Sequence, residues 1–541
     1  MRLRRVAVLG GGPGGLYTAR LLKLANPACE VRVYEQGDPD TTFGFGVGLA
    51  AGTQRKLEAA DPDTLHELVA LGLRHDMTMQ VGADTVRVHN DRLIGVARTE
   101  LLAVLQRHAE KAGVVLEFGV RRSASDVDAD VVVAADGVSS ATREAGPYGG
   151  SIEVGRGLYL WCGTDFPLDD AVFAPVDTEH GTFVTHAYPY SGGRSTFLIE
   201  TDERTWRRAG FDASTAALEA PGTPFDASDE TSLRFLERAF AEQLRGRPLI
   251  GNRTRWTRFR TVRCERWSSG NTVLLGDAAH TAHFSIGSGT KLAMEDSIAL
   301  VEALGEESGV DAAFARYETV RRPAVERLQE LARRSQLWWE SFPGRTHLPA
   351  ARLMVAYMSR AGNVPLERFA ETAPDVVDAA LDQYAGLSER HSRSPGVNEG
   401  AARSSDGDGS ERAVGSPGVN EGAARSSAEW VFAQPLVYGG RDFPCRTAVP
   451  SLERLDCAPD DPWSAEGDAL VARARGTGGV LVTGGSGRAA LLTRLDLAER
   501  VRLETGVLTA VEGPAALRDD LAAGLVSGRT DLVLLTEEEA R

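Results

Sequence analysis

Lysine is nearly missing from this chain. Only Lys23, Lys56, Lys111 and Lys291 stand among 60 basic residues, against 76 acidic ones, for a formal net charge of −16. That balance argues against non-specific binding to nucleic acid, whose phosphates call for a basic surface. It leaves room for a local basic pocket. The arginine bias itself reads as genomic composition. Cysteine is scarce too: Cys29, Cys162, Cys264, Cys445 and Cys457 are scattered, with no C-x-x-C pair. A disulfide framework or a metal cage is therefore not expected, and the thiols read as small buried apolar residues. Apolar runs fall far short of a bilayer span. The start of the chain runs straight into a strand and lacks the apolar segment and cleavage site of a signal peptide. These absences lead to the expectation of a cytoplasmic protein with no membrane partner, no nucleic-acid partner and no metal.

What is present is glycine at strand ends. At 541 residues and 42% hydrophobic, the chain has material for two or three domains. The stretch Gly276–Asp296, GDAAHTAHFSIGSGTKLAMED, follows a short apolar strand, Thr272 to Leu275, and opens a helix from about Lys291 to Leu304. A carboxylate at such a strand end can accept bonds from sugar-like hydroxyls. The amides of Gly287 and Gly289 can approach a flat ligand, because no Cβ intervenes. Near the start, strand Val6–Leu9 leads into Gly10-Gly11-Gly12-Pro13-Gly14-Gly15 and a helix, and the next strand, Val31–Tyr34, ends at Glu35. This is G-x-G-x-x-G in its strand–turn–helix setting. Gly10 permits the turn, Gly12 lets a diphosphate approach, Gly15 lets helix pack on strand, and Glu35 would take ribose hydroxyls. A third strand, within DVVVAADGVSSATR at 130–143, ends in Asp136-Gly137, with Ser140 and Arg143 beyond.

Between these pieces the pattern changes. Leu158–Trp161, Thr182–Tyr188, Ser195–Glu200 and Trp256–Arg263 alternate as half-exposed strands, with a helix expected at Leu233–Leu244. This suits a sheet-floored lid inserted in the first domain. Long helices are expected at about 310–340 and 350–390, with Pro323 near a helix start or a kink. Residues 391–429 carry SPGVNEGAARSS twice, at 394–405 and 416–427, and read as a flexible linker. Beyond it, Gly479–Val482, Gly506–Val511 and Asp531–Leu535 alternate with helical stretches as parallel βαβ units do. The fold class expected is α/β. A discontinuous nucleotide domain spans 1–150 and 264–345, an α+β domain 151–263, a helical extension 346–390 and a βα region 430–541.

GGGPGG with Glu35, DGVSSATR, and GDAAH…GSG…AMED, in that order, resemble the single-component FAD aromatic monooxygenases of the p-hydroxybenzoate hydroxylase type, over roughly residues 1–390. The resemblance implies a Rossmann-type domain holding one FAD. Gly10, Gly12, Pro13, Gly14, Gly15 and Glu35 would hold its ADP half, and Arg98 would contact it. Asp136 and Gly137 would serve both FAD and the pyridine nucleotide, and Gly276 and Asp277 the ribityl chain. The family binds NADH or NADPH transiently, NADH being favoured here, and hydroxylates an electron-rich ring with O2 through a flavin hydroperoxide. A homodimer is compatible with it. The third motif departs from the family pattern, with His283-Phe284 where Pro-Pro is common and Lys291 where Asn is common. Lys at a helix start opposes the helix dipole. Lys291 is therefore expected either to favour negative charge on the reduced flavin or to be simply solvated.

AHTAHFSIGSGTKLAMED, DTEHGTFVTHAYPY, TDERTWRRAG and SQLWWE are similar to one branch, the salicyloyl-CoA 5-hydroxylases and the monooxygenase half of 2-aminobenzoyl-CoA monooxygenase/reductase. That resemblance implies an aryl-CoA substrate hydroxylated at carbon 5, salicyloyl-CoA ahead of 2-aminobenzoyl-CoA. A free-acid hydroxylase, or a flavoprotein that binds aryl thioesters without hydroxylating them, stays as an alternative. Residues 497–535 resemble the last units of an old-yellow-enzyme-like (β/α)8 barrel, too few to close one, which implies a remnant without FMN. The reaction needs a dry site and a polar group for the phenol para to the attacked carbon. His283 is the first candidate, then His186 and Tyr188, with His280 behind; each has a structural alternative. His186 lies in an alternating strand and faces either pocket or solvent. Arg194, Arg207, Arg208, Arg258, Arg260 and Arg263 are candidates for the CoA phosphates.

Overall fold

Four apolar residues in a row, Val131–Ala134, are all buried and form the middle of a parallel sheet, as expected of a strand covered on both faces. In the computed structural model this sheet has six strands, in the order Ser268–Ser269, Thr272–Leu274, Val131–Ala134, Arg5–Leu9, Glu30–Tyr34 and Val115–Glu117. All pairs but the first are parallel. Leu9 lies beside Tyr34 and Ala134, and Ala134 beside Leu274. That register brings Gly10, Glu35, Asp136 and Gly276 to one edge, the carboxyl end of the strands, where open α/β sheets bind ligands. The structure describes residues 3–39, 42, 44–90, 93–224, 226–287, 289–392, 437–438, 441–442, 452–458 and 461–536. The repeat-bearing linker from 393 onward lies outside them, as does Cys445. The four described cysteines are all buried and unbridged.

Helix Pro13–Ala25 packs on helix Gly289–Glu306, so the first and third motifs share one interface. A Cβ on Gly14 would lie 2.6 Å from Leu275 Cδ2 and 3.0 Å from Ala293 Cβ. Thr18 Oγ1 donates to Ser297 Oγ across the same contact at 2.8 Å.

A second sheet of seven strands runs Leu249–Ile250, Leu158–Thr164, Arg194–Thr201, Gly181–Ser191, Ala171–Thr178, Met77–Val81, Asp84–Val88. Its last two strands come from the stretch the sequence reading gave to the first domain. The chain leaves the first sheet through Gly150–Val154 and returns through Arg260–Cys264, and these two strands pair antiparallel. One face of the second sheet buries Phe183, Phe197 and Ile199 against Phe211, Leu233, Leu236 and Phe240. The other face turns toward the nucleotide domain's loops.

One helical expectation is narrowed and one corrected. Pro323 lies inside helix Val310–Glu340 and not at its start, which leaves the kink of the two alternatives. The loss of one backbone bond is outweighed by the face that the helix buries along its length. The stretch 350–390 is not one helix. Ala350–Ser359, Leu366–Thr372 and Pro374–Ser392 are separate. Pro365 and Pro374 stand at helix starts, where a missing N–H costs nothing, and so they divide the run.

The chain falls into two compact units, Met1–Val364 and Pro365–Arg541. In the second, strands Glu453–Asp456, Val480–Thr483, Thr509–Pro514 and Leu532–Thr536 are parallel and in sequential order. Helices Ala465–Ala474, Arg488–Thr505 and Arg518–Val526 connect them. Among the described residues no helix is long and apolar enough to cross a membrane.

Candidate active site

At the sheet edge, Gly10 turns with φ +105°, and a Cβ there would run into the Ala135 carbonyl. A Cβ on Gly15 would strike the Gly10 carbonyl oxygen. These two glycines are required by the protein itself. Gly12 differs: nothing lies within 4 Å of its would-be Cβ. It caps helix Pro13–Ala25 without a side-chain bond, and the first turn holds no acid. The end of the helix is thus open, unsatisfied and positive, which fits a dinucleotide diphosphate. Glu35 is already engaged. Its Oε2 accepts from the Gly11 amide at 2.6 Å and its Oε1 from the Gly37 amide at 2.7 Å, so it shapes the loop and keeps only its remaining lone pairs for hydroxyls.

Asp136 is similarly committed. It accepts from Ser140 Oγ at 2.5 Å, and from Thr142 N and Oγ1 at 3.1 and 3.0 Å. Gly137 follows in the left-handed region. Buried Arg143 then ties this loop to the third motif, donating to Val138 O at 2.7 Å and Ala278 O at 3.0 Å. Gly276 has φ +61°, and a Cβ there would sit 2.9 Å from Ala293 Cβ. Asp277 is encased by protein on most sides, yet its side chain is exposed, so it lines a recess. Burial pushes its carboxyl above the ordinary range, while His280 and Arg98 oppose the rise. Arg98 is likewise enclosed; burial lowers it, with Asp277 and Tyr188 opposing, and its Nε has no partner. A cation and an anion with unsatisfied atoms in one recess fit the polar middle of FAD. Gly289 stands 3.9 Å from Asp277 Oδ1 by its would-be Cβ, and Gly287 turns with φ +63°. Lys291 lies in the first turn of helix Gly289–Glu306, half-buried, and makes no ion pair with the described residues.

His280 lies behind this recess, away from the aromatic residues described next. Its Nε2 is 2.9 Å from Asp296 Oδ2, though too poorly aligned to count as a hydrogen bond. Arg321 Nε donates to Asp296 Oδ1 at 2.7 Å. Burial alone would raise Asp296, but His280 and Arg321 hold it below its ordinary value.

Above the loop, Tyr159, Trp161, Phe173, His186, Tyr188 and Glu200 share the second face of the second sheet, as strand alternation and register dictate. Rings from other elements pack on them. His186 and Trp339 are 3.8 Å apart by ring centroid, Phe173 and Tyr357 4.3 Å, Tyr159 and Phe284 4.8 Å. His186 therefore faces inward and is buried. Burial, then Arg360 and His283, hold it well below its ordinary value. His283 is held down to about 3 by burial and by Arg360. Both imidazoles are neutral at working pH. The Nδ1 of His283 lies 2.8 Å from Ser285 Oγ. Tyr188 is pushed up to about 12, chiefly by burial, and donates to Gly46 O at 2.8 Å.

Phe173, Tyr357 and two charged members of this pocket were not singled out in the sequence. Glu200 looked like the end of a strand. Its carboxyl is raised to about 8 by burial, then by Glu340, with Arg360 opposing. Its Oε1 lies 3.1 Å from His186 Nε2, but both atoms lack a properly aligned hydrogen bond. Arg360, just past helix Ala350–Ser359, sits in no motif; only the fold brings it here. Of the arginine candidates for CoA, Arg207 and Arg258 pair with Glu203 and Arg263 with Glu153. Arg194, Arg208 and Arg260 are exposed.

A family model described as an FAD binding domain matches residues 96–332. The chain is 39% identical to salicyloyl-CoA 5-hydroxylase of Streptomyces sp over 98% of this chain and 99% of that one, so the likeness includes the second unit. It is 36% identical to 3-hydroxy-4-methyl-anthranilyl-[aryl-carrier protein] 5-monooxygenase of Streptosporangium sibiricum, over 66% of this chain and 95% of that one. Among solved structures, a variant of 2-methyl-3-hydroxypyridine-5-carboxylic acid oxygenase shares the fold, with TM-score 0.51 and 20% identity over 66% of this chain and 96% of that chain. On these likenesses, above all the first, the chain belongs to the FAD-dependent aromatic monooxygenases.

Proposed function

We propose that this enzyme hydroxylates an aryl-CoA thioester, salicyloyl-CoA, at ring carbon 5 to give gentisyl-CoA, with NADH as hydride donor and O2 as oxygen source. The observation that carries this reading is the 39% identity, over nearly the whole of both chains, to a protein named for that reaction. FAD held in this cradle would supply hydride acceptance and activation of O2, one oxygen atom going to the ring and the other leaving as water.

The chain's own residues must orient the ring, keep water out and raise electron density at carbon 5. The aromatic cluster of Phe173, Phe284, Trp339 and Tyr357 supplies a dry slot for the ring. Carbon 5 is para to the hydroxyl on carbon 2. His186 and His283 are the polar groups for that hydroxyl, both neutral and thus able to accept its proton in a hydrogen bond. Gly10, Gly12, Pro13, Gly14 and Gly15 take the FAD diphosphate at the helix start, and Glu35 the adenosine ribose. Arg98, Gly276 and Asp277 take the ribityl portion, and Gly287 and Gly289 let backbone approach the flavin. Asp136 and Gly137 shape the loop shared with the nicotinamide nucleotide. Lys291 favours negative charge at the pyrimidine end of the reduced flavin.

In this reading 1–150 and 264–345, apart from Met77–Val88, form the FAD-binding domain, 151–263 together with Met77–Val88 the substrate domain, and 346–390 a helical extension. The described strands from Glu453 to Thr536 form an arc of a (β/α)8 barrel. The sequential order of four parallel strands supports an arc, since a doubly wound sheet reverses its strand order. The alternative substrate is 2-aminobenzoyl-CoA, favoured by the anthranilyl group in the second relative's name. Mass-spectrometric product analysis with salicyloyl-CoA, 2-aminobenzoyl-CoA and the two free acids side by side tests the assignment. Gentisyl-CoA as the main product, coupled to NADH consumption, is expected. Hydroxylation of only the amino thioester or a free acid would overturn it.

A further inference from the structure

Arg360 is 8% exposed and has no carboxylate within ion-pair distance among the described residues. Its Nε donates to Ser335 Oγ at 2.7 Å, its Nη2 to Ser285 O at 2.6 Å and its Nη1 to Tyr357 O, all neutral acceptors. A guanidinium has five N–H groups, so two remain beyond these three bonds. Its carbon lies 3.9 Å from the centroid of the Tyr357 ring, which packs on Phe173 at 4.3 Å. The same guanidinium braces the loop that carries His283 and Phe284. Buried cations are normally paired, because an isolated one is costly to desolvate.

Every titratable neighbour declines that pairing. Tyr357 on the preceding helix is held protonated by burial. On the second sheet, Glu200 is raised to about 8 and His186 is held neutral. On the flavin loop, His283 is neutral. Glu340 on the long helix, which acts on Glu200, takes its own ion pair with Arg156 at 3.4 Å. Below about pH 8, where Glu200 keeps its proton, the pocket therefore holds one positive charge and no negative one, which is the electrostatics of a site awaiting an anion.

We propose that Arg360 is the counter-charge that makes the bound ring substrate ionise, so that a 2-hydroxybenzoyl ligand sits in this pocket as its phenolate. On binding, the phenol O–H breaks, its electron pair stays on oxygen, and the proton leaves to bulk water. The phenolate oxygen feeds electron density to the para carbon, so Arg360 selects the ionised form without accepting a proton itself. The inference rests on the substrate class proposed above. It extends that reading from a hydrogen-bonded phenol to an ionised one.

The test uses FAD-loaded full-length enzyme with no NADH and no O2. Salicyloyl-CoA is mixed with enzyme in weak buffer containing a pH indicator, and the phenolate band is followed by difference absorption across pH. 2-Methoxybenzoyl-CoA, which has no phenolic proton, is the blank. Wild type should release close to one proton per bound ligand at neutral pH. Arg360→Met should lower the ionisation constant of the bound phenol by about 10- to 1,000-fold, the range for removing an opposite charge nearby. Arg360→Lys keeps the charge and loses the three-way brace, so it should retain most of the ionisation if charge is what matters. Binding of a neutral phenol by wild type would overturn the proposal while leaving the substrate reading intact, and needs no variant that folds. Equal ionisation in Met and wild type, or equal loss in Lys and Met, would also overturn it. If only 2-aminobenzoyl-CoA binds, both readings fall. If no thioester binds but salicylate binds as a dianion that depends on Arg360, the substrate reading falls and the role of Arg360 stands.

Discussion

Replacing Glu200 with glutamine should stabilise the protein in alkali and leave it almost unchanged in acid. The side chain is 6% exposed, and its nearest nitrogen, His186 Nε2, is misaligned. Its carboxyl moves from 4.5 to about 8 on folding, so the folded state binds the proton more tightly than the unfolded chain. The sign follows. Below pH 4.5 both states are protonated and the site is neutral to stability. Between pH 4.5 and 8 the unfolded chain ionises while the folded one does not, and stability falls as pH rises. Above 8 the loss is complete. At about 1.4 kcal/mol per unit the full shift corresponds to roughly 4–5 kcal/mol. Water entry and local relaxation reduce what is felt to about 2–3 kcal/mol. Glutamine keeps the shape and removes the ionisation. Urea unfolding of FAD-saturated wild type and Glu200→Gln, followed by tryptophan fluorescence from pH 5 to pH 9, should show the variant gaining steadily on wild type. Parallel pH curves would refute the reasoning, since they would mean that Glu200 titrates alike in both states.

The first two glycines of the first motif should separate fold from ligand. Gly10→Ala forces a Cβ into the Ala135 carbonyl at positive φ, and should cost about 3 kcal/mol or more in unfolding of the apoprotein. The Cβ of Gly12→Ala meets no protein atom, so apoprotein unfolding should be unchanged while FAD affinity, read by flavin fluorescence, falls about 10- to 100-fold through lost amide–phosphate bonds. A destabilised Gly12→Ala apoprotein would show that Gly12 serves the fold. Lys291→Met should slow NADH-driven flavin reduction and lower the flavin potential. Reduction and reoxidation at wild-type rates would mean that Lys291 is only solvated.

The nucleotide edge was legible because it is local. A strand, a glycine turn and a helix start lie within some fifteen residues of one another, and the strand ends needed only a parallel register to meet. The pocket was not legible in the same way. His186 could have faced either side, and Glu200 carried no motif. Assigning both requires knowing how Gly181–Ser191 registers on Arg194–Thr201, a pairing that only the sheet displays. Arg360, Trp339 and Tyr357 come from two further helices, and no spacing in the sequence couples them to a strand. The recruitment of Met77–Val88 into the second sheet is equally long-range. Even at the legible edge, the carboxylates of Glu35 and Asp136 turned out to be holding their own loops, which a motif match does not reveal.

That strand register is itself set by one irregularity. Along Gly181–Ser191, Val184 faces Glu200, His186 faces Leu198 and Pro189 faces Ser195, but beyond Pro189 the register shifts and Ser191 faces Arg194. Tyr190 is the extra residue of a bulge. Had the hairpin kept the register of its tip, His186 would oppose Ile199, and Glu200 would point to the opposite face, into the apolar core with Phe183. The bulge is therefore what puts His186 and Glu200 side by side. Its position is fixed by packing: buried Tyr190 clusters with Phe45 and Ala97, a Cβ on Gly46 would lie 2.7 Å from Tyr190 Cβ, and one on Gly95 would lie 2.6 Å from the Pro189 carbonyl oxygen. The two glycines belong to the paired strands Gly46–Ala50 and Leu93–Ala97, the second of which leads directly to Arg98 in the recess with Asp277. The element that seats Arg98 thus also sets the register of the aromatic pocket, which couples the Asp277 recess to that pocket through backbone packing alone.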